Sequence, residues 1–81
     1  MHYDYLKAAD DKTELRLLRI GDVIELTKLS KSYLYLLAAE GRFPRSIPLV
    51  PGGKSRAWVY SEVLQWMEQR VAERDLEAGH E

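Results

Sequence analysis

The chain has 81 residues, no cysteine, and a formal net charge of −1 from 12 basic and 13 acidic side chains. A chain this short buries only about 60–65% of the surface it exposes when unfolded, which makes one small domain and leaves no room for a large catalytic cleft. The lack of cysteine excludes disulfide staples and thiolate metal sites, and no apolar run approaches the roughly 20 residues of a membrane span.

Residues 1–14 mix Tyr3, Tyr5 and Leu6 with Asp4, Lys7, Asp10, Asp11 and Lys12 without a sustained apolar face. They are expected to form a flexible N-terminal arm. The start, Met1-His2-Tyr3-Asp4-Tyr5, lacks the basic and apolar regions of a signal peptide, so a cytoplasmic, nucleoid-associated location is expected. The ordered domain is predicted over residues 15–76. Leu17 and Leu18 suit a short extended segment that pairs with a later hairpin or caps the core. A first helix follows over residues 21–27, with Asp22 and Glu25 near its start, where negative charge suits the helix dipole. Lys28 and Leu29 make a turn, and Leu29 is expected between the two helices.

The second helix is predicted from Lys31 to Glu40. Ser30 can cap it by accepting from a free N–H of its first turn, and Gly41 can close it in the left-handed conformation. At 100° per residue Leu34, Leu37 and Ala38 point into the core, while Ser32, Tyr35, Leu36 and Ala39 point away. Tyr33 falls near the edge of the core. Two short helices across so tight a turn form a helix-turn-helix. Phe43 is a candidate core plug, and Pro44 forbids further helix.

Residues 46–50 and 56–60 read as two strands joined by the turn signal Pro51-Gly52-Gly53-Lys54, and Pro48 marks the first as an edge strand. Ser61 is expected to cap a last helix, reinforced by Glu62. Val63, Trp66, Met67, the stem of Arg70, and Val71 form its buried stripe. Residues 77–81 are expected as a frayed C-terminal tail. The fold predicted is mainly α with a small β-hairpin: a winged helix-turn-helix, with residues 46–60 as the wing.

Charge along the chain is segregated. Residues 28–60 carry Lys28, Lys31, Arg42, Arg45, Lys54 and Arg56 against Glu40 alone, while the segments on either side are net acidic. A basic middle between acidic flanks is the electrostatic footprint of a nucleic-acid partner that the whole-chain charge hides.

The residues of this pattern resemble the AlpA family of small prophage-type regulators, related in fold to excisionases and to the DNA-binding domain of MerR regulators. The likeness is carried by Leu18-Arg19, Val23, Leu26-Thr27, Leu29-Ser30-Lys31-Ser32, Leu34-Tyr35, Leu37, Gly41-Arg42-Phe43-Pro44, Pro48, Trp58, Ser61-Glu62-Val63 and Trp66. It covers residues 16–74. It implies a winged-helix DNA-binding domain that regulates transcription or assists excision of an integrated element. Two positions depart from the family pattern. Lys28 stands where glycine is common, and Leu36 where a basic or polar residue is frequent.

For DNA binding, residues 30–40 would enter the major groove. Ser30, Lys31 and Ser32 lie at the helix start near phosphates and base edges, Tyr35 can reach a phosphate, and Leu36 and Ala39 can touch thymine methyl groups. Arg42, Arg45, Lys54, Ser55 and Arg56 would hold the backbone or adjacent minor groove from the wing. Trp58 and Trp66 are expected in the core. Gly53-Lys54-Ser55 echoes the end of a P-loop, but Pro48 occupies the position of its first glycine and a strand follows, so nucleotide binding is rejected. His2 and His80 lie in opposite tails and no nucleophile arrangement is evident; no catalytic residue, metal or cofactor is assigned. The partner expected is double-stranded DNA, bound by a dimer or by cooperative copies, with no membrane. Two alternatives use the same fold: an excisionase that binds attachment-site DNA and contacts an integrase, and a protein-interaction module built around Leu36.

Overall fold

Trp58 is where the apolar residues of the chain meet. In the computed structural model, which describes residues 15–78, its side chain is 1% exposed and packs with Leu18, Val23, Leu34, Leu37, Phe43 and Val63. The elements run β1 (Leu17–Leu18), α1 (Ile20–Thr27), α2 (Lys31–Ala39), β2 (Ile47–Pro48), β3 (Arg56–Val59) and α3 (Tyr60–Ala78). The strands form an antiparallel sheet in the order β1-β3-β2. Leu18 pairs with Trp58 and Leu17 with Val59, while Ile47 pairs with Ala57 and Pro48 with Arg56. Trp58 therefore sits on the central strand, with a helix-turn-helix before it and a β2–β3 hairpin as the wing. The winged helix-turn-helix expected from sequence is the fold observed, and the short segment Leu17–Leu18 does pair with the hairpin strand.

Local chemistry sets each boundary. The carboxylate of Asp22 accepts from the backbone N–H of Arg19 at 3.0 Å, one half of a capping box at the start of α1. At the other end Lys28 takes the left-handed conformation, φ 64°, and its N–H donates to Ile24 O at 2.7 Å. Thr27 Oγ1 donates to Val23 O at 2.8 Å and accepts from Leu29 N at 3.2 Å, which locks the turn into α2. A lysine at positive φ costs about 1–2 kcal/mol that glycine avoids, against about 0.5–1 kcal/mol of extra chain entropy that glycine loses on folding. Lys28→Gly should therefore stabilise the domain by about 0.5–1 kcal/mol and raise the melting midpoint by roughly 2–8 °C. A midpoint at or below that of the wild type would show that the lysine side chain compensates for its own backbone.

Three boundaries differ from expectation. The paired part of the first hairpin strand is only Ile47–Pro48, because Pro48 offers no N–H and the chain turns away at Leu49 and Val50. The last helix starts at Tyr60, directly from β3, so Ser61 lies inside it instead of capping it. The N–H of Tyr60 donates to Arg16 O at 2.7 Å, which supplies by a long-range contact what a serine cap would have supplied locally. The same helix continues through Ala78, past the point where apolar periodicity fades, but its buried stripe ends early. Val63 is buried and Trp66 and Met67 are half-buried, whereas Val71 is 50% exposed and Arg70 is exposed, since among the described residues no other element packs that far along α3. The guanidinium of Arg70 instead lies 4.9 Å from the centre of the Trp66 ring and covers it. The expected arm over residues 1–14 and the last residues of the expected tail, 79–81, lie outside the described residues.

Candidate nucleic-acid interface

The presented face of α2 is built by its two caps. Ser30 Oγ accepts from Tyr33 N at 3.2 Å, as its sequence position predicts. At the C-terminus Gly41 N donates to Ala38 O at 3.1 Å and Arg42 N to Leu37 O at 2.8 Å, with Gly41 at φ 75°. This is a Schellman closure, and it reverses the chain so that Phe43 drops into the core beside α2. Leu34 and Leu37 are buried and Ala38 is half-buried, which leaves Lys31, Ser32, Tyr35, Leu36 and Ala39 exposed on the outer face.

The loop from α2 to the wing is held by both tryptophans. Trp58 Nε1 donates to Pro44 O at 3.0 Å and Trp66 Nε1 donates to Arg42 O at 2.8 Å. Phe43 meets Trp66 edge to face, with ring centres 4.9 Å apart. A buried indole seeks a partner for its N–H, and here the partners are loop carbonyls, so residues 42–44 are fixed at both ends. Arg45 follows directly. The two rings thus serve the core, as expected, and also aim the basic loop, which the sequence did not reveal.

Arg56 has a role that sequence reasoning missed. Its Nε donates to Ser46 Oγ at 2.7 Å and its Nη2 donates to Ser46 O at 3.0 Å. Ser46 lies diagonally across the β2–β3 pair from Arg56, a separation that a long side chain spans. The guanidinium therefore braces the base of the wing and keeps its remaining N–H groups for another acceptor. Register explains the contact: the hairpin turn fixes Pro48 opposite Arg56, and Ser46 follows from that.

Tyr35 and Ala39 from α2, Arg45 and Ser46 from the loop, and Arg56 from β3 line one open groove of about 420 Å³, with the edge of Trp58 at its floor. The Tyr35 ring leans on Trp58 with centres 5.9 Å apart, so Tyr35 supports the groove as well as facing it. Of the predicted site residues, Tyr35, Ala39, Arg45 and Arg56 are brought together here. Ser30, Lys31, Ser32 and Leu36 do not line this groove but are exposed on α2 and its cap, and Lys54 and Ser55 are exposed on the wing. Ser46 and Ala38 were not foreseen. Arg42 is exposed and pairs with Glu40 at 3.3 Å, a surface contact weak enough for a competing anion to displace. Among the described residues Lys31, Arg45 and Lys54 make no ion pair.

The arrangement is a slot between an exposed helix and a braced hairpin, lined by two arginines and, among the described residues, by no acidic side chain. The sequence profile described as prophage CP4-57 regulatory protein (AlpA) matches residues 16–71. The chain belongs to the AlpA family. It is also 45% identical over 64 residues to the uncharacterized protein ORF88 of Enterobacteria phage P4, an alignment that covers 79% of this chain and 70% of that protein. No solved structure matches it significantly. The AlpA match starts one residue before β1 and ends at Val71, so it takes in the sheet, the helix-turn-helix and the packed part of α3. The AlpA region therefore coincides with the part of the chain that builds the groove. No helix among the described residues is long and apolar enough to cross a membrane.

Proposed function

We propose that this AlpA-family chain is a sequence-specific DNA-binding regulator. Residues 30–40 enter the major groove and the hairpin wing grips the adjacent backbone. The observation that carries this reading is the groove between α2 and the wing, where Arg45 and Arg56 flank the exposed face of Tyr35 and Ala39. A duplex seated on α2 must run its phosphate backbone past those two guanidinium groups, and arginine is suited to phosphate by its forked donors. Ser32, Leu36 and Ala39 then meet base edges and thymine methyls, while Lys31, Arg42, Lys54 and Ser55 meet phosphates. A single helix of this length reads few base pairs, so two or more copies on repeated or inverted sites are part of the reading.

Selection from random duplex DNA tests it. The full chain should enrich a short motif within a few rounds, and recovery of unbiased sequence would refute sequence-specific recognition. Mapping bound sites in a host genome then separates the roles that share this fold. Sites at promoters indicate transcription control, and sites beside an attachment sequence indicate an excisionase acting with an integrase. A protein-interaction role draws on Leu36, which is 50% exposed on the outer face of α2. It predicts that Leu36→Asp abolishes function while substitution of the basic residues does not.

A further inference from the structure

Residues 47–53, Ile-Pro-Leu-Val-Pro-Gly-Gly, make the end of the wing and carry no charged or hydrogen-bonding side chain. Their backbone offers little more. Pro48 and Pro51 have no N–H, Leu49 N donates to Ser55 O at 2.8 Å, and Gly53 N donates to Val50 O at 2.8 Å. Yet Ile47, Leu49 and Val50 are all exposed, Val50 by 57%. Such a tip is poorly equipped to pair phosphates or to read base edges, whereas Lys54 and Ser55 just beyond it are equipped for the backbone.

The tip is also stiff. Pro51 has its φ fixed by its ring, Gly52 follows at φ 78°, and the Gly53-to-Val50 hydrogen bond closes a type II turn. A Cβ at Gly53 would come within 3.2 Å of both Val50 Cβ and Val50 O, so the turn is closed tightly against Val50. An apolar group held in one direction loses little entropy when it is inserted into a partner.

Resting on the DNA-binding reading above, we infer that Leu49, Val50 and Pro51 form an apolar wedge that enters the minor groove, parts a base step and kinks the duplex. The base of the wing, at Ser46 and Arg56, lines the same groove as α2, and the tip extends from that base, so DNA seated on α2 lies beside the wing. Apolar side chains inserted from the minor groove unstack a step and kink DNA toward its major groove, here the groove that α2 enters, so that more backbone wraps onto the protein. Here the backbone so gained falls to Arg45 and Lys54. Pyrimidine–purine steps unstack most readily, so the wedge adds sequence preference at a position where no polar group reads a base.

The test uses the full chain and a duplex recovered by selection, with end labels whose energy transfer reports the bend. Wild type should bend the duplex by roughly 20–90°. The Leu49→Ser/Val50→Ser variant should lose more than half of that bend. It should bind at least about ten-fold more weakly, and its salt slope should become shallower, because the backbone that the bend brings to Arg45 and Lys54 is lost with it. Val50→Leu should keep the bend. Both serines replace exposed residues, and thermal unfolding checks the fold; if the double variant melts below the assay temperature, Val50→Ser carries the same test. Unbent DNA under wild type, or an undiminished bend under the folded variant, overturns the wedge while leaving DNA binding intact. Failure to select any DNA overturns the underlying reading as well.

Discussion

Trp58→Ala should leave the domain largely unfolded at 37 °C. The residue is 1% exposed on the central strand, and removing a tryptophan from such a site costs about 3–5 kcal/mol in transfer and cavity terms. The lost indole N–H also strands Pro44 O, an acceptor whose loss of a partner adds about 1 kcal/mol or more. A domain of this size has roughly 4–12 kcal/mol of total stability, so the substitution removes a large share of it. Trp58→Phe separates the two contributions. It keeps most of the apolar contact and loses the hydrogen bond, so it should cost about 1–2 kcal/mol and lower the midpoint by roughly 4–16 °C. Circular dichroism melts measure both variants, and Trp66 remains as a fluorescence probe. A Trp58→Ala domain that melts within a few degrees of wild type would show that the core does not centre on this ring.

The parts of the fold legible in the sequence are those governed by neighbours along the chain. Ser30 caps α2 because a serine oxygen three residues before Tyr33 N is in reach whatever surrounds it. Gly41 closes α2 for an equally local reason, and the Pro51-Gly52 turn sets the hairpin. The departures came where a distant group decided. Tyr60 begins α3 because Arg16 O takes its N–H, a contact between residues far apart in sequence. Val71 keeps the helical spacing of a core residue but is exposed, because periodicity marks a face and does not tell whether anything packs on it.

The interface divides in the same way. The exposed set on α2 follows from 100° geometry and was identified from sequence. That Arg45 and Arg56 would share a groove with Tyr35 depended on the tryptophan hydrogen bonds that pin residues 42–44, and these are tertiary. Arg56 illustrates the consequence. From sequence it is one more wing cation. Its two bonds to Ser46 make it part of the hairpin, so reversing its charge would disturb the wing as well as any phosphate contact. It is therefore a poor residue with which to test DNA binding.

Lys31, Arg45 and Lys54 are the better choice, because all three are exposed and none makes an ion pair among the described residues. If four to six phosphates are neutralised in the complex, affinity should fall with salt along a log–log slope of about −4 to −5. Raising salt from 50 to 200 mM should then weaken binding by roughly 250- to 1,000-fold. Changing all three residues to glutamine removes three of those contacts and should make the slope shallower by about 2.7. Measured from a 1 M reference, each contact is worth roughly eight-fold in affinity at 0.1 M salt, so the triple variant should bind about 500-fold more weakly there. Its melting midpoint should stay near that of the wild type, since exposed, unpaired cations contribute little to stability. Titration at four or five salt concentrations measures slope and affinity together. A wild-type slope near zero, or an unchanged slope in the triple variant, would mean that phosphates are not what this basic face recognises. A shallower slope with the selected motif intact would divide the labour as the geometry suggests: the lysines and arginine hold the backbone, and the outer face of α2 chooses the sequence.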